Sequence, residues 1–234
     1  EYVTQSAPTS GAVETAEDTA AVEAAYPYAA NTTNVREITH FVPVTQRAMS
    51  DYGQIRTIIE NELLMDVIDR LDTQIASGGG TGQDLTGIYN ASGIGTQALG
   101  ADTLADSLHK AATVIRVAAG VLMEPDYIGL HPNDYQKLRL TKDSTGNYLL
   151  GPAGMAGPAS VWGIPIVASK AFTAGTPLVG AYARSATLWT REGVSVTTGL
   201  DGSDFTKRRV SILAAMRIAF AVTRATGFCQ VTGW

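Results

Sequence analysis

The sequence predicts an α+β fold: one long amphipathic helix, a mixed middle and a β-rich C-terminal end. Three observations predict it. Apolar residues recur at helical spacing from Ile55 to Ile75. Short apolar runs broken by Gly and Pro fill 161–183. Beyond Leu188, apolar residues alternate by two, as on a strand with one buried face.

Taken in order, residues 1–35 are rich in Ala and Thr with isolated apolar positions, and too polar for a core. They read as an extended arm or hairpin, with disorder as the competing reading. Ile38, Phe41, Val42 and Val44 then predict a strand within 36–48. Asp51 and Gln54 have the spacing of a helix-capping box. The long helix follows to about Ala76, with Ile55, Ile58, Ile59, Leu64, Val67, Ile68, Leu71 and Ile75 as its core stripe. Ser77-Gly78-Gly79-Gly80-Thr81-Gly82 ends it and reads as a flexible linker and a domain boundary. A second helix is expected over 102–119, with Leu104, Leu108, Ala112, Ile115 and Val117 inward. Ile128-Gly129-Leu130 is a short strand. A third helix starts at His131-Pro132-Asn133-Asp134, with Pro132 in its first turn and Asn133 and Asp134 as capping residues. Strands are expected over 188–198, 206–213 and 216–224.

Composition narrows the function. Charged residues make up 17% of 234, a low share that suits a surface much of which meets other protein. Glu1, Glu14, Glu17, Asp18 and Glu23 stand in a stretch of 35 residues without Lys or Arg, and the rest of the chain is neutral. Such a chain is a poor duplex-DNA binder, because affinity for phosphate needs clustered cations. The acidic arm suits a basic patch on a neighbouring protein instead. Cys229 is a lone cysteine, read as a small buried hydrophobe. No run approaches the ~18 apolar residues of a membrane span. The chain opens on Glu1-Tyr2-Val3 without a methionine, which predicts a processed or truncated product.

Local motifs give no catalytic reading. Gly82 is followed by Gln83 and Asp84, not by the Lys-Ser/Thr of a phosphate loop. Gly93-Ile94-Gly95-Thr96-Gln97-Ala98 fits a loose dinucleotide pattern, but Asn90-Ala91-Ser92 before it is no strand end and Gly100 interrupts any helix after it. His40, His109 and His131 stand in no metal-ligand spacing. No cofactor is expected.

Several stretches point to one family when taken together. They are the acidic opening arm with Val35-Arg36-Glu37-Ile38, and the long helix with its exit Gly80-Thr81-Gly82-Gln83-Asp84-Leu85-Thr86-Gly87-Ile88. Leu130-His131-Pro132-Asn133-Asp134-Tyr135 follows, then Lys142-Asp143 and Gly146-Asn147-Tyr148-Leu149-Leu150-Gly151. Last come Trp162-Gly163-Ile164-Pro165-Ile166-Val167, Ala174-Gly175-Thr176, Val179-Gly180-Ala181-Tyr182 and Leu188-Trp189-Thr190-Arg191-Glu192-Gly193. In this order they resemble the major capsid proteins of tailed phages of the Hong Kong 97 type. The family's N-terminal arm is the part not represented.

The resemblance implies an extended loop at 1–37, a peripheral domain at 38–82 and 186–215, and an axial domain at 83–185 and 216–234. It implies a structural subunit, not an enzyme, that self-assembles as pentamers and hexamers into a shell around double-stranded DNA. The virion would be its destination and the host cytoplasm its place of assembly, with portal and decoration or cement proteins as further partners. An encapsulin compartment, which shares the fold, is the alternative; a nucleotide-dependent enzyme is a remote one. Some relatives weld subunits by an isopeptide bond between a lysine and an asparagine, helped by a glutamate. Those positions fall here at Ala21, Arg208 and Ala215, and no lysine precedes Lys110. No autocatalytic cross-link is therefore expected. The candidate contacts between subunits are Glu14, Glu17, Asp18 and Glu23 on the arm against the cationic run Lys207, Arg208 and Arg209.

Overall fold

A computed structural model describes residues 1–5, 12–23, 27–118, 123–151 and 160–234. The first elements are β1 (Tyr2–Gln5), β2 (Tyr28–Asn31), β3 (Arg36–Thr45), α1 (Gln46–Asp51), α2 (Ile55–Ser77), β4 (Gly95–Ala98) and α3 (Leu104–Val117). Then come β5 (Tyr127–Leu130), α4 (Pro132–Arg139), β6 (Ser160–Val161), β7 (Ile164–Ala168), β8 (Leu178–Gly180) and α5 (Tyr182–Ser185). The chain closes with β9 (Ala186–Gly199), α6 (Asp204–Lys207), β10 (Arg209–Val222) and β11 (Phe228–Thr232). Two compact units divide it: Glu1–Thr33 with Ile88–Thr187 and Ala221–Trp234, and Asn34–Gly87 with Leu188–Phe220.

The opening residues contribute an antiparallel strand pair. β1 and β2 pair antiparallel from Tyr2↔Asn31 to Gln5↔Tyr28. Asn31 reinforces the pairing by donating its side-chain amide to the Thr4 hydroxyl at 2.6 Å.

In the Asn34–Gly87 and Leu188–Phe220 unit, a three-stranded sheet runs in the order β3-β10-β9. β3 and β10 pair antiparallel from Thr45↔Arg209 to Arg36↔Ile218. Alternation sorts their side chains. His40, Val44, Ile212, Ala214 and Met216 share the face toward α2, where His40 lies 3.7 Å from Asp66. Leu63, Val67 and Leu71 of α2 are buried in that same unit, each contributing ~1.5–3 kcal/mol by leaving water. Phe41 and Leu213 pair across the opposite face and remain 52% and 36% exposed.

Several local expectations change. The Asp51–Gln54 capping box does not form: Asp51 ends α1, and Gln54 makes no side-chain cap bond to α2. The cap in use is Thr45, whose hydroxyl accepts the Ala48 N–H at the start of α1. Of the α2 stripe, Ile58, Leu64 and Ile68 are exposed, because one sheet covers only one side of a helix that is apolar on two. The two C-terminal strands expected over 206–213 and 216–224 are one strand, β10, and residues 206–207 belong to α6. Small residues at Ala214 and Ala215 do not interrupt a strand whose backbone is paired on both sides. The glycine stretch after α2 is not a flexible linker. Gly80 donates to Leu85, Asp84 to Thr81 and Gly87 to Gly78, which fold it into a tight turn.

The other unit holds a six-stranded sheet in the order β4-β11-β8-β5-β7-β6. α3 packs on β4, β8 and β11. Leu108, Ile115, Ile128, Leu130, Leu138, Val179, Cys229 and Val231 form its core. Val117, expected inward, is 77% exposed, and position 119 lies outside the described residues. The Phe172 ring lies over Gly129, where a β-carbon would meet it. The cap of α4 is also not the one expected. The His131 ring nitrogen accepts the Asn133 N–H, while Asp134 is buried, accepts the Gly175 N–H at 2.6 Å and pairs with Lys137.

Candidate assembly surfaces

The arm offers carboxylates with no cation of their own. Glu14, Glu17, Asp18 and Glu23 are all exposed, and none is ion-paired among the described residues. Asp18 turns the chain with φ 63°, a left-handed conformation that Asp tolerates better than most side chains. Val13 and Val22 are more than half exposed beside them. Residues 12–23 are thus an exposed acidic stretch with a valine near each end.

Cations gather on the other unit. α6 ends at Lys207, and Arg208 takes a left-handed conformation, φ 53° and ψ 50°, that turns the chain into β10. The Arg208 carbonyl accepts the Gln46 N–H at 2.9 Å, which ties this turn to the start of α1. Lys207 and Arg208 line a cleft of about 530 Å³ with Thr45, Gln46, Arg47 and Ser50. Arg209 begins β10 opposite Thr45 and is half-buried. Arg47 was missed in the sequence. It is a lone arginine far from the Lys207 run, and only the pairing of β3 with β10 brings the two together.

Asp204 begins α6, the short helix that ends at Lys207. Its carboxylate accepts from the Ser211 hydroxyl at 2.8 Å and from the Asp201 N–H at 3.2 Å. The Ser211 bond first, then the Asp201 bond, with the Arg209 and Lys207 charges adding, hold it below the usual carboxylate range. It therefore remains an anion and helps place the short helix that presents Lys207.

The same unit carries an apolar hollow of about 290 Å³. Phe41, Leu200 and Leu213 line it with Thr197, Thr198, Gly199, Asp201 and Ser211. It sits on the sheet face that α2 leaves open.

The three positions at which the resemblance would place a cross-link carry no lysine, asparagine or glutamate. Ala21 is exposed on the arm, Arg208 lies in the basic cleft, and Ala215 is half-buried in β10 opposite Thr39. A methyl group cannot attack, and neither a guanidinium nor a methyl group can play the parts of amide and general base.

The other reactive candidates are structural. Burial pushes the Cys229 thiol up to about 11, so it stays protonated and inert at neutral pH. Burial likewise pushes the Tyr89 hydroxyl up to about 12, and it donates to the Thr176 carbonyl at 2.6 Å. Gly95–Ala98 of the dinucleotide-like pattern is strand β4, so no helix N-terminus stands behind it to hold a phosphate. Among the described residues, no three His, Cys, Asp or Glu side chains gather as a metal site.

The chain matches the model of the phage capsid family over residues 1–233. It belongs to the phage capsid family. It is 28% identical over 239 residues to the major capsid protein of Enterobacteria phage HK97, an alignment covering 99% of this chain and 60% of that relative. The chain thus spans about 60% of the length of the curated relative it matches. Solved structures share the fold of this capsid-family chain. One from Gordonia phage Cozz superposes with a TM-score of 0.76 at 14% identity, covering 99% of this chain and 80% of that one. One from Mycobacterium phage Ogopogo gives 0.75 at 17% identity, covering 98% and 85%. The capsid of an empty GTA particle gives 0.71 at 19% identity, covering 98% and 83%. The α+β capsid fold expected from the sequence is the one observed.

Proposed function

We propose that this chain is the repeating subunit of an icosahedral phage shell that encloses double-stranded DNA. The observation that carries this reading is the family match along almost the entire chain, together with identity to a major capsid protein. Copies gather as pentamers and hexamers, closed rings in which one surface patch meets a different patch on the next copy. Residues 1–37 serve as the extended loop, 38–82 and 186–215 as the peripheral domain, and 83–185 and 216–234 as the axial domain. The subunit carries no catalytic task. The shell holds DNA by confinement, because a net charge of −5 gives little affinity for phosphate. Portal and decoration proteins complete the virion, which is assembled in the host cytoplasm.

The arm supplies the contact between subunits in this reading. Glu14, Glu17, Asp18 and Glu23 of one copy enter the field of Arg47, Lys207, Arg208 and Arg209 of the next. Each exposed pair is worth only ~0–1 kcal/mol. Burial of the arm's apolar residues and repetition around a closed shell supply the rest of the stability. Stable interfaces bury roughly 1,200–2,000 Å², which a strip lying across a neighbour can reach.

Negative-stain microscopy paired with size-exclusion chromatography tests this function. Closed shells or rings of five and six are the expected result. A monomer at every concentration and salt level would overturn the reading. Shells that enclose a protein cargo and exclude nucleic acid would move the chain to the encapsulin side of the fold.

A further inference from the structure

We propose that Trp162 and Asp106 form a clamp for an arginine side chain presented by a second copy of this chain. The proposal rests on the shell-subunit reading and names a contact that the arm does not make.

Trp162 stands in an unusual place. β6 and β7 are joined by the two-residue turn Trp162-Gly163, with φ of 55° and 79°. Consecutive left-handed residues in a hairpin turn are normally Asn-Gly or Gly-Gly, and a bulky aromatic at the first position is strained. The ring is held rigidly despite that strain. Its Nε1–H donates to the Ala105 carbonyl of α3 at 2.8 Å. The His109 ring meets it edge-on, with centroids 5.1 Å apart and planes at 70°. Even so, the tryptophan remains 58% exposed. A fixed, exposed aromatic loses little conformational entropy when a partner covers it, which is the character of an interface anchor.

The ring borders a cleft of about 320 Å³ shared with Asp102, Asp106, His109 and Lys110. Lys110 is already spent within it, with its amine 2.7 and 2.6 Å from the two oxygens of Asp102. Asp106 has only the Thr103 hydroxyl, at 2.6 Å on one oxygen, and no cation among the described residues. An aromatic ring beside an unpaired carboxylate matches a guanidinium, which stacks on the one and hydrogen-bonds to the other. The chain has the complement to offer. Arg184 on α5 is exposed and Arg224 half-buried, and neither is paired with a carboxylate among the described residues. No arginine lines the cleft among the described residues, and a second copy of the chain can present one.

The test compares dissociated wild-type subunits with assembled shells by hydroxyl-radical footprinting. Oxidation at Trp162 should fall several-fold on assembly. The variant Trp162→Asn keeps a side chain suited to the left-handed turn and should raise the concentration needed for assembly by about tenfold. Asp106→Asn, which keeps a side chain able to bond Thr103, should raise it less, with the difference fading in high salt. Shells in which Trp162 stays as reactive as in free subunits would overturn the clamp, whatever the variants do. Wild-type subunits that never assemble would instead overturn the shell reading on which it rests.

Discussion

The side-chain amide of Gln74 donates to the Asp84 carboxylate at 2.8 Å, and its oxygen accepts the Leu85 N–H at 2.9 Å. One buried residue on α2 thus closes the glycine turn that follows the helix. Gly78 and Gly87 sit where a β-carbon would strike backbone atoms of the facing strand of that turn. Gln74→Leu should cost about 2 kcal/mol, since it leaves the Leu85 N–H buried without a partner. Gly87→Ala should cost at least as much, as the backbone must shift to admit it. Urea unfolding followed by circular dichroism measures both.

Charge reversal examines the arm contact. Arg47→Glu with Lys207→Glu and Arg208→Glu should weaken assembly in low salt and leave the subunit folded. Light scattering against salt concentration reads the effect. The gap from wild type should narrow as the Debye length falls to ~3 Å near 1 M salt. Assembly unchanged at low salt would reject the contact.

Arg208 separates stability from assembly. Its φ of 53° costs an L-residue about 1 kcal/mol relative to glycine. Arg208→Gly should therefore raise the melting temperature slightly while reducing assembly. A variant that loses both would show that the side chain holds the turn and does not serve a neighbour.

Assembled shells should dissociate fully into single chains on a denaturing gel. Ala21→Lys alone should change nothing, because Arg208 and Ala215 supply neither amide nor carboxylate. A ladder of covalent oligomers in the wild type would contradict the loss of this chemistry.

Cys229 should resist alkylation in the native subunit. Its thiol titrates near 11 because it is buried, so almost no thiolate exists at pH 7 or 8. The raised value disfavours the thiolate in the folded chain. Folding should therefore weaken as pH rises past the ordinary thiol value of 9.0 and toward that of the buried group. Mass spectrometry after iodoacetamide treatment should find the site modified only in denaturant.

Local regularity made much of this protein legible in its sequence. The helical spacing of α2 and α3, the Pro132 start of α4, and the alternation of β3 and β10 follow from backbone geometry that each segment carries by itself. So does the acidity of the arm, which is a matter of composition. What each face meets is not local. The exposure of Ile58, Leu64 and Ile68, the fusion of two expected strands into β10, and the folded glycine turn depend on contacts between segments distant in sequence. The same holds for the surfaces proposed to act. Arg47 joins Lys207 only because β3 pairs with β10, and Trp162 joins Asp106 only because a hairpin turn lies against α3. Periodicity and composition reside in neighbouring residues, whereas a cleft is made by side chains that packing brings together from far apart.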